Sequence, residues 1–160
     1  RFDFGFEDRK MDELKKIVIP DDSAKIVIEN KAFFANSIES LIIKSNNVEL
    51  KEGSILLTRN LAHIFINYQS LQCKWYNNDI IITKTDSKSE EFDNLIFARY
   101  NIVTTIIPPF VKRIGESVFT GSLLEYIVIP SNVTEICTSA FSLCNSLEKV
   151  EFMPDSKLNI

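Results

Sequence analysis

Apolar residues return along this chain at nearly fixed distances. A Leu or Ile, two residues, an apolar residue, one residue and a second apolar residue recur as Leu14/Ile17/Ile19, Ile38/Leu41/Ile43, Leu61/Ile64/Ile66, Leu124/Ile127/Ile129 and Leu147/Val150/Phe152. A weaker copy stands at Ile102/Thr105/Ile107. Successive copies start 24, 23, 41, 22 and 23 residues apart. Between them lies a second cluster, Val111/Ile114/Phe119 and Val133/Ile136/Phe141 at an offset of 22, with looser versions at Ile28/Ala32/Phe33 and Leu50/Ile55. Pro20, Pro108 and Pro130 directly follow the first cluster, and Pro154 comes one residue late.

In "KVEF", Val150 and Phe152 face one way and Lys149 and Glu151 the other, because side chains alternate along a strand. A proline placed just after such a strand ends its pairing, having no N–H to donate. The spacing therefore predicts a coil of short parallel strands, one per turn of 22–24 residues. The second cluster returns behind each strand to cover it. One turn cannot bury its apolar face alone, so the stacked neighbours supply the core. Amphipathic helices account for the pattern less well, given the two-residue alternation and the Ile, Val and Phe at strand positions. Short helical turns are predicted within Glu7–Lys16 and around Glu116–Phe119 and Thr138–Phe141.

Residues 67–101 break the period. "CKWYNNDIIITK" reads as two short strands around an Asn77-Asn78-Asp79 turn, "TDSKSEE" as a charged loop, and "FDNLIFARY" as a return to strand. A hairpin island and aberrant repeats both fit that pattern. Trp75 is expected to pack the irregular turn. The expected organisation is one solenoid over 1–160, regular over about 14–66 and 102–160 and irregular over 67–101. The chain stops at Ile160, where the next cluster would begin, and "RFDFGF" alternates Phe2, Phe4 and Phe6 as an upstream repeat or a capping strand would. The C-terminal stop suggests a fragment of a longer array.

"IPSNVTEICTSAFSLCNSLEKVEF" and "IPPFVKRIGESVFTGSLLEYIVIP" resemble the BspA-like class of leucine-rich repeats, closely over 102–160, fairly over 14–66 and hardly over 67–101. "LIFARYNIVTTIIPPFVKRIG" resembles its protist branch. The resemblance implies a right-handed leucine-rich-repeat solenoid, mostly β and irregular with short helical turns. It also implies a place among surface proteins of anaerobic bacteria and parasitic protists. Cys137 stands where that pattern has Gly, so the backbone there need not take a positive φ. Ser122 stands where the pattern has Cys.

Composition narrows the function. Apolar residues make up 45% and charged ones 25%, as in folded proteins rather than disordered ones. The net charge is −4 with Lys and Arg scattered, so no basic footprint for nucleic acid exists. No apolar run reaches the roughly 18 residues of a membrane span. Cys73, Cys137 and Cys144 show no CxxC spacing, which argues for buried structural thiols over a disulfide scaffold or a zinc site. No Gly-rich phosphate loop is present. The pairs Asp21-Asp22 and Glu90-Glu91 lack the alternating oxygens of a calcium loop. His63 and Cys73 form no known catalytic spacing, so no catalytic residue, metal ligand or cofactor site is assigned. Asn132-Val133-Thr134 is a glycosylation sequon by spelling, yet Val133 is a repeat core position.

The outward positions of the predicted strands carry the functional signal. The residue between the two inward apolar positions is Val18, Ile42, Phe65, Ile106, Val128 and Glu151 in successive copies, and two residues earlier stand Lys16, Ser40, His63, Thr104, Tyr126 and Lys149. A water-facing row should be polar, but the first row is apolar in all but its last copy. Stacked in register it makes an apolar stripe, the mark of a contact site, unless the insertion folds over it or splits it. Val18, Ile42, His63, Phe65, Tyr126 and Val128 are the candidate partner-binding residues, with aromatic anchors foremost. The expected function is non-catalytic presentation of this face to a protein partner, and the resemblance implies a host-cell surface or matrix as its setting. Self-association through the stripe or an open end stays open. An intracellular scaffold built on the same coil is the alternative, and an enzyme centred on Cys73 or His63 comes third.

Overall fold

The computed structural model describes residues 14–33, 37–56 and 58–158. The "RFDFGF" segment and the helical turn expected after it fall mostly outside them. The described residues form strands and turns and no helix. The predicted period-2 segments are all strands: β1 (Lys16–Ile19), β3 (Ser40–Ile43), β5 (His63–Ile66), β9 (Thr104–Ile106), β11 (Tyr126–Ile129) and β13 (Lys149–Phe152) line one side, the front. The second clusters supply shorter strands behind: β2 (Ile26–Ile28), β4 (Val48–Leu50), β10 (Arg113–Ile114) and β12 (Glu135–Ile136). Neighbouring turns pair parallel and in step. Ile17 sits beside Leu41 and Leu41 beside Ile64, while Thr105, Ile127 and Val150 line up the same way further on. The circumference read from the sequence is thus the true length of one turn.

The expected helical turns around Glu116–Phe119 and Thr138–Phe141 do not form. Ser117 and Ser139 take left-handed backbone, φ 59° in both, and a helix cannot pass through such a residue. The same conformation recurs at the matching places of earlier turns, Lys31 (61°) and Gly53 (67°), and again four residues on at Gly121 (70°) and Leu143 (57°). The reversals at Lys31, Ser117 and Gly121 aim N–H groups along the solenoid axis at the carbonyls of the following turn instead of back into a helix. Lys31 donates to the Gly53 carbonyl at 2.9 Å, Phe119 to Ala140 at 2.8 Å and Gly121 to Ser142 at 2.8 Å. Turn-to-turn bonds of this kind offset the strain of about 1–2 kcal/mol per non-glycine residue. The side chains stack likewise: the Phe119 and Phe141 rings lie 5.0 Å apart and 7° from parallel, and Ser122 Oγ sits 3.6 Å from Cys144 Sγ. Cys137 is not among the left-handed residues, as expected from a side chain replacing Gly, and its N–H bonds the Ile114 carbonyl at 2.9 Å.

The insertion is a wall. Its strands β6 (Cys73–Tyr76), β7 (Ile80–Thr83) and β8 (Asn94–Ala98) pair antiparallel, and β8 joins β10 in parallel. Asn77 and Asn78 both take left-handed φ (51° and 60°), as a type I′ hairpin turn requires. Every residue of β7 and β8 is buried. Cys73, Ile81, Ile96 and Phe97 belong to a core shared with Leu41, Ile43, Val48 and Leu61. Ile80, Ile82, Leu95 and Ala98 belong to a second core with Ile114, Phe119, Leu124 and Ile127. A strand buried on both faces reads as an unbroken apolar run, which is why "IIIT" and "LIFA" lose the alternation seen elsewhere. The hairpin island is therefore internal, a two-faced partition between two halves of the solenoid core. Trp75 packs against the first core as expected and carries the Arg99 guanidinium 5.2 Å from its ring centroid.

The wall also divides the front. Strands β1, β3 and β5 form one three-stranded sheet, and β9, β11 and β13 another. The hairpin tip reaches β9, where Thr105 Oγ1 lies 3.5 Å from an Asp79 carboxylate oxygen, and Tyr76 meets Phe110 edge-on at 6.1 Å. Behind the wall, Glu52 fastens the two halves together. Its carboxylate pairs with Arg113, accepts from Asn94 Nδ2 at 3.0 Å and from the Glu116 N–H at 3.4 Å. Gly115 permits this closure, since a Cβ there would stand 2.9 Å from the Leu95 carbonyl oxygen and 3.3 Å from the Glu52 carboxyl carbon.

Ile81 and Ile82 face opposite cores from adjacent positions, so truncating either should be equally costly. We expect Ile81→Ala and Ile82→Ala each to lower stability by about 2–5 kcal/mol in urea titrations. Trp75 fluorescence and far-ultraviolet circular dichroism should report one common midpoint, because β7 and β8 belong to both cores. Separate midpoints for the two signals would show that the halves unfold independently.

Candidate interaction face

The two front sheets set the outward residues in the predicted rows. Strand pairing places Val18 beside Ile42 and Ile42 beside Phe65, with Lys16, Ser40 and His63 as the parallel row. In the second sheet Ile106, Val128 and Glu151 make one row, and Thr104, Tyr126 and Lys149 the other. Alternation alone puts these side chains outside, since their inward neighbours Leu41, Ile43, Ile127 and Ile129 are fully buried. Val18 is 44% exposed and Phe65 53%. Ile42 and Val128, flanked on both sides as middle-strand residues, are half-buried.

The candidate residues fall into two groups that do not meet. Val18, Ile42, His63 and Phe65 share the first sheet, whereas Tyr126 and Val128 lie on the second, across the wall. The stripe is split, the second of the two fates open to it. Ile106, at 71% the most exposed apolar residue of either row, belongs with the second group. It was readable as a member of the apolar row but lies in the weakest repeat copy. Tyr68, 87% exposed just past β5, had no repeat position to mark it.

The second sheet is electrostatically closed on itself. Tyr126 donates its hydroxyl to Glu151 at 2.9 Å, and Lys149 Nζ meets the same carboxylate oxygen at 2.9 Å while lying 5.4 Å from the Tyr126 ring centroid. The hydrogen bond from Lys149, then that from Tyr126, holds the Glu151 carboxyl below its ordinary range, and the bond to Glu151 raises the Tyr126 hydroxyl. No such carboxylate stands among the outward residues of the first sheet.

His63 and Cys73 lie in opposite settings. His63 is exposed on the front, while Cys73 is fully buried, its sulfur 3.4 Å from Ser70 Oγ and 3.7 Å from the Val48 carbonyl oxygen. Burial pushes the Cys73 thiol up to about 11, so it is a packing group at neutral pH. Cys137 and Cys144 are half-buried, bonded to Glu135 and to the Phe119 carbonyl. Asn132 donates its amide to the Pro109 carbonyl at 2.8 Å and accepts from Lys157 at 2.6 Å, with Val133 fully buried beside it, so the sequon asparagine is a turn brace. Among the described residues, no three His, Cys, Asp or Glu side chains gather as metal ligands, and no helix is long and apolar enough to cross a membrane.

The family model of the BspA type leucine rich repeat region matches residues 6–88 and 72–159, in six copies. The chain belongs to the BspA-type leucine-rich-repeat family. A leucine-rich repeat protein from Eubacterium ventriosum superposes with a TM-score of 0.69 at 21% identity, over 87% of this chain and 42% of that one. The pneumococcal vaccine antigen PcpA superposes with a TM-score of 0.64 at 18% identity, over 87% of this chain and 39% of that one. This chain thus spans about two-fifths of either relative, and the likeness concerns the fold. No curated protein matches the sequence. Membership identifies a protein-interaction repeat module on a scaffold that is typically non-catalytic.

Cys73 yields a direct check. Its folded value of about 11 lies above the 9.0 of an exposed thiol, so its contribution to stability is complete below pH 9 and lost as pH rises toward 11. At pH 8 a thiol reagent should label Cys137 and Cys144 in the folded protein and Cys73 only in urea. Mass spectrometry of the labelled peptides decides it, and equal labelling of all three in the native state would refute the burial.

Proposed function

We propose that this chain is a non-catalytic protein-interaction module of a cell-surface adhesin or recognition protein, and that its parallel β-face is the contact surface. The observation that carries this is the in-register apolar row on the outward side of the front sheets, where a solvated strand would carry polar residues. The contact residues are Val18, Ile42, His63 and Phe65 on the first sheet and Tyr126 and Val128 on the second. Phe65 is the principal anchor, being aromatic and more than half exposed. The surface setting rests on the family and on the likeness to a vaccine antigen.

The test is site-specific photocrosslinking against host-cell surface extract. A benzoylphenylalanine in place of Phe65 should yield a discrete adduct that excess unlabelled protein competes away and that excess Phe65→Glu protein does not. The same probe in place of Thr138, exposed on the turn behind β12, should give none. An adduct from position 138 and not from 65 would move the contact to the convex side and end the β-face proposal. Circular dichroism must first show that the variants are folded.

A further inference from the structure

The two front sheets differ in charge, and the difference points to the chemistry of the partner. The ladder of the first sheet continues one step past its strands, with Lys44 N–H bonding the Ile19 carbonyl at 3.0 Å and Asn67 N–H the Ile43 carbonyl at 2.9 Å. By alternation its outward residues form a grid of three rows: Lys16, Ser40 and His63; then Val18, Ile42 and Phe65; then Pro20, Lys44 and Asn67. Nothing in this grid is acidic, although the whole chain has 22 acidic against 18 basic residues. Among the described residues no carboxylate pairs with Lys16 or Lys44, whereas Lys15 next door is bound to Glu39 at 2.7 Å. Asp21 and Asp22 follow Pro20 in the turn, beyond the last row, and an Asp22 carboxylate oxygen accepts the Ala24 N–H. On the second sheet the lysine of the grid, Lys149, is already neutralised by Glu151.

We infer that the first sheet docks an extended segment of a protein partner carrying an acidic residue, any residue, an apolar residue, any residue and a second acidic residue. The inference rests on the β-face being the contact surface and adds the partner's chemistry. The geometry sets the motif. The rows are two residues apart along the strands, about 6.6 Å, which is also the spacing of side chains on one face of an extended peptide. A peptide running along the strands therefore lays its central apolar side chain on Val18, Ile42 and Phe65 while its flanking carboxylates reach Lys16 and Lys44. His63 adds a donor beside the first carboxylate. Each ion pair is partly solvated and weak alone, so the charges select the partner while the apolar row holds it.

Fluorescence anisotropy with labelled synthetic peptides tests this on the full chain. The probes are a Glu-Ser-Leu-Ser-Glu peptide, its Lys-Ser-Leu-Ser-Lys counterpart and a Glu-Ser-Ser-Ser-Glu control. The first should bind about tenfold more tightly than either of the others, with affinity falling as salt rises. The double variant Lys16→Glu/Lys44→Glu should reverse the preference between the first two, and Phe65→Glu should abolish binding of both. Equal affinity for the acidic and basic peptides, no binding of the acidic one, or an unchanged preference in the double variant overturns the inference. If the photocrosslinked partner loses affinity for Phe65→Glu but not for Lys16→Glu/Lys44→Glu, the β-face stands and the acidic partner falls. Loss with neither variant brings both down together.

Discussion

Strands β7 and β8 present no face to water, and the rest of the molecule arranges itself around that fact. A leucine-rich coil of this size would ordinarily run one continuous core behind one continuous sheet. Here a hairpin and its return strand cross the interior, so each half of the coil packs against a shared wall. The wall costs the front sheet its continuity, since the hairpin tip stands beside β9. It also brings the turn after β4 against β10 and the turn after it, where the Glu52 carboxylate meets Arg113 and the Glu116 N–H, 64 residues further along, and closes the seam. Two short solenoids joined by a flexible linker would have none of these constraints.

Away from the wall, order comes from the backbone as much as from apolar contact. Left-handed residues at Lys31 and Ser117 turn N–H groups toward the next coil, where the matching turns around Gly53 and Ser139 supply the carbonyls, and the resulting bonds keep successive turns in step. That step places Val18, Ile42 and Phe65 in one row and spaces the cationic rows evenly on either side. A surface for recognition thus follows from the same hydrogen bonds that hold the coil, with little freedom left to the individual strand.

The division of the front gives the two faces different characters. On the second sheet Glu151 ends the apolar row and satisfies both Tyr126 and Lys149, so its polar groups are already spoken for. On the first sheet the apolar row is unbroken and its flanking lysines have no carboxylate among the described residues. A partner's carboxylate replaces only water at the lysines of the first sheet, whereas on the second it would compete with the Glu151 carboxylate already bound to Lys149.

How much was legible in advance can be told residue by residue. Period-2 alternation and a proline stop are local properties, so Leu41, Ile64 and Ile127 announced their inward direction and Ile42, Phe65 and Val128 their outward one. The hairpin turn at Asn77 and Asn78 was equally local. The helical turns expected at Ser117 and Ser139 were not, because short polar and apolar mixtures tolerate either hand, and the left-handed one is favoured by bonds between the two turns, with N–H groups given by the first and carbonyls by the second. The place of "IIIT" was hidden for a similar reason. An apolar run states that a strand is covered on both faces without stating by what, and only the packing of Ile81 and Ile82 against different cores decided it. The repeat, its circumference and its outward rows thus belong to the sequence by itself, since each depends on spacing along the chain. The wall, the split front and the charge contrast between its halves belong to the tertiary structure, since each depends on which distant turns are brought into contact.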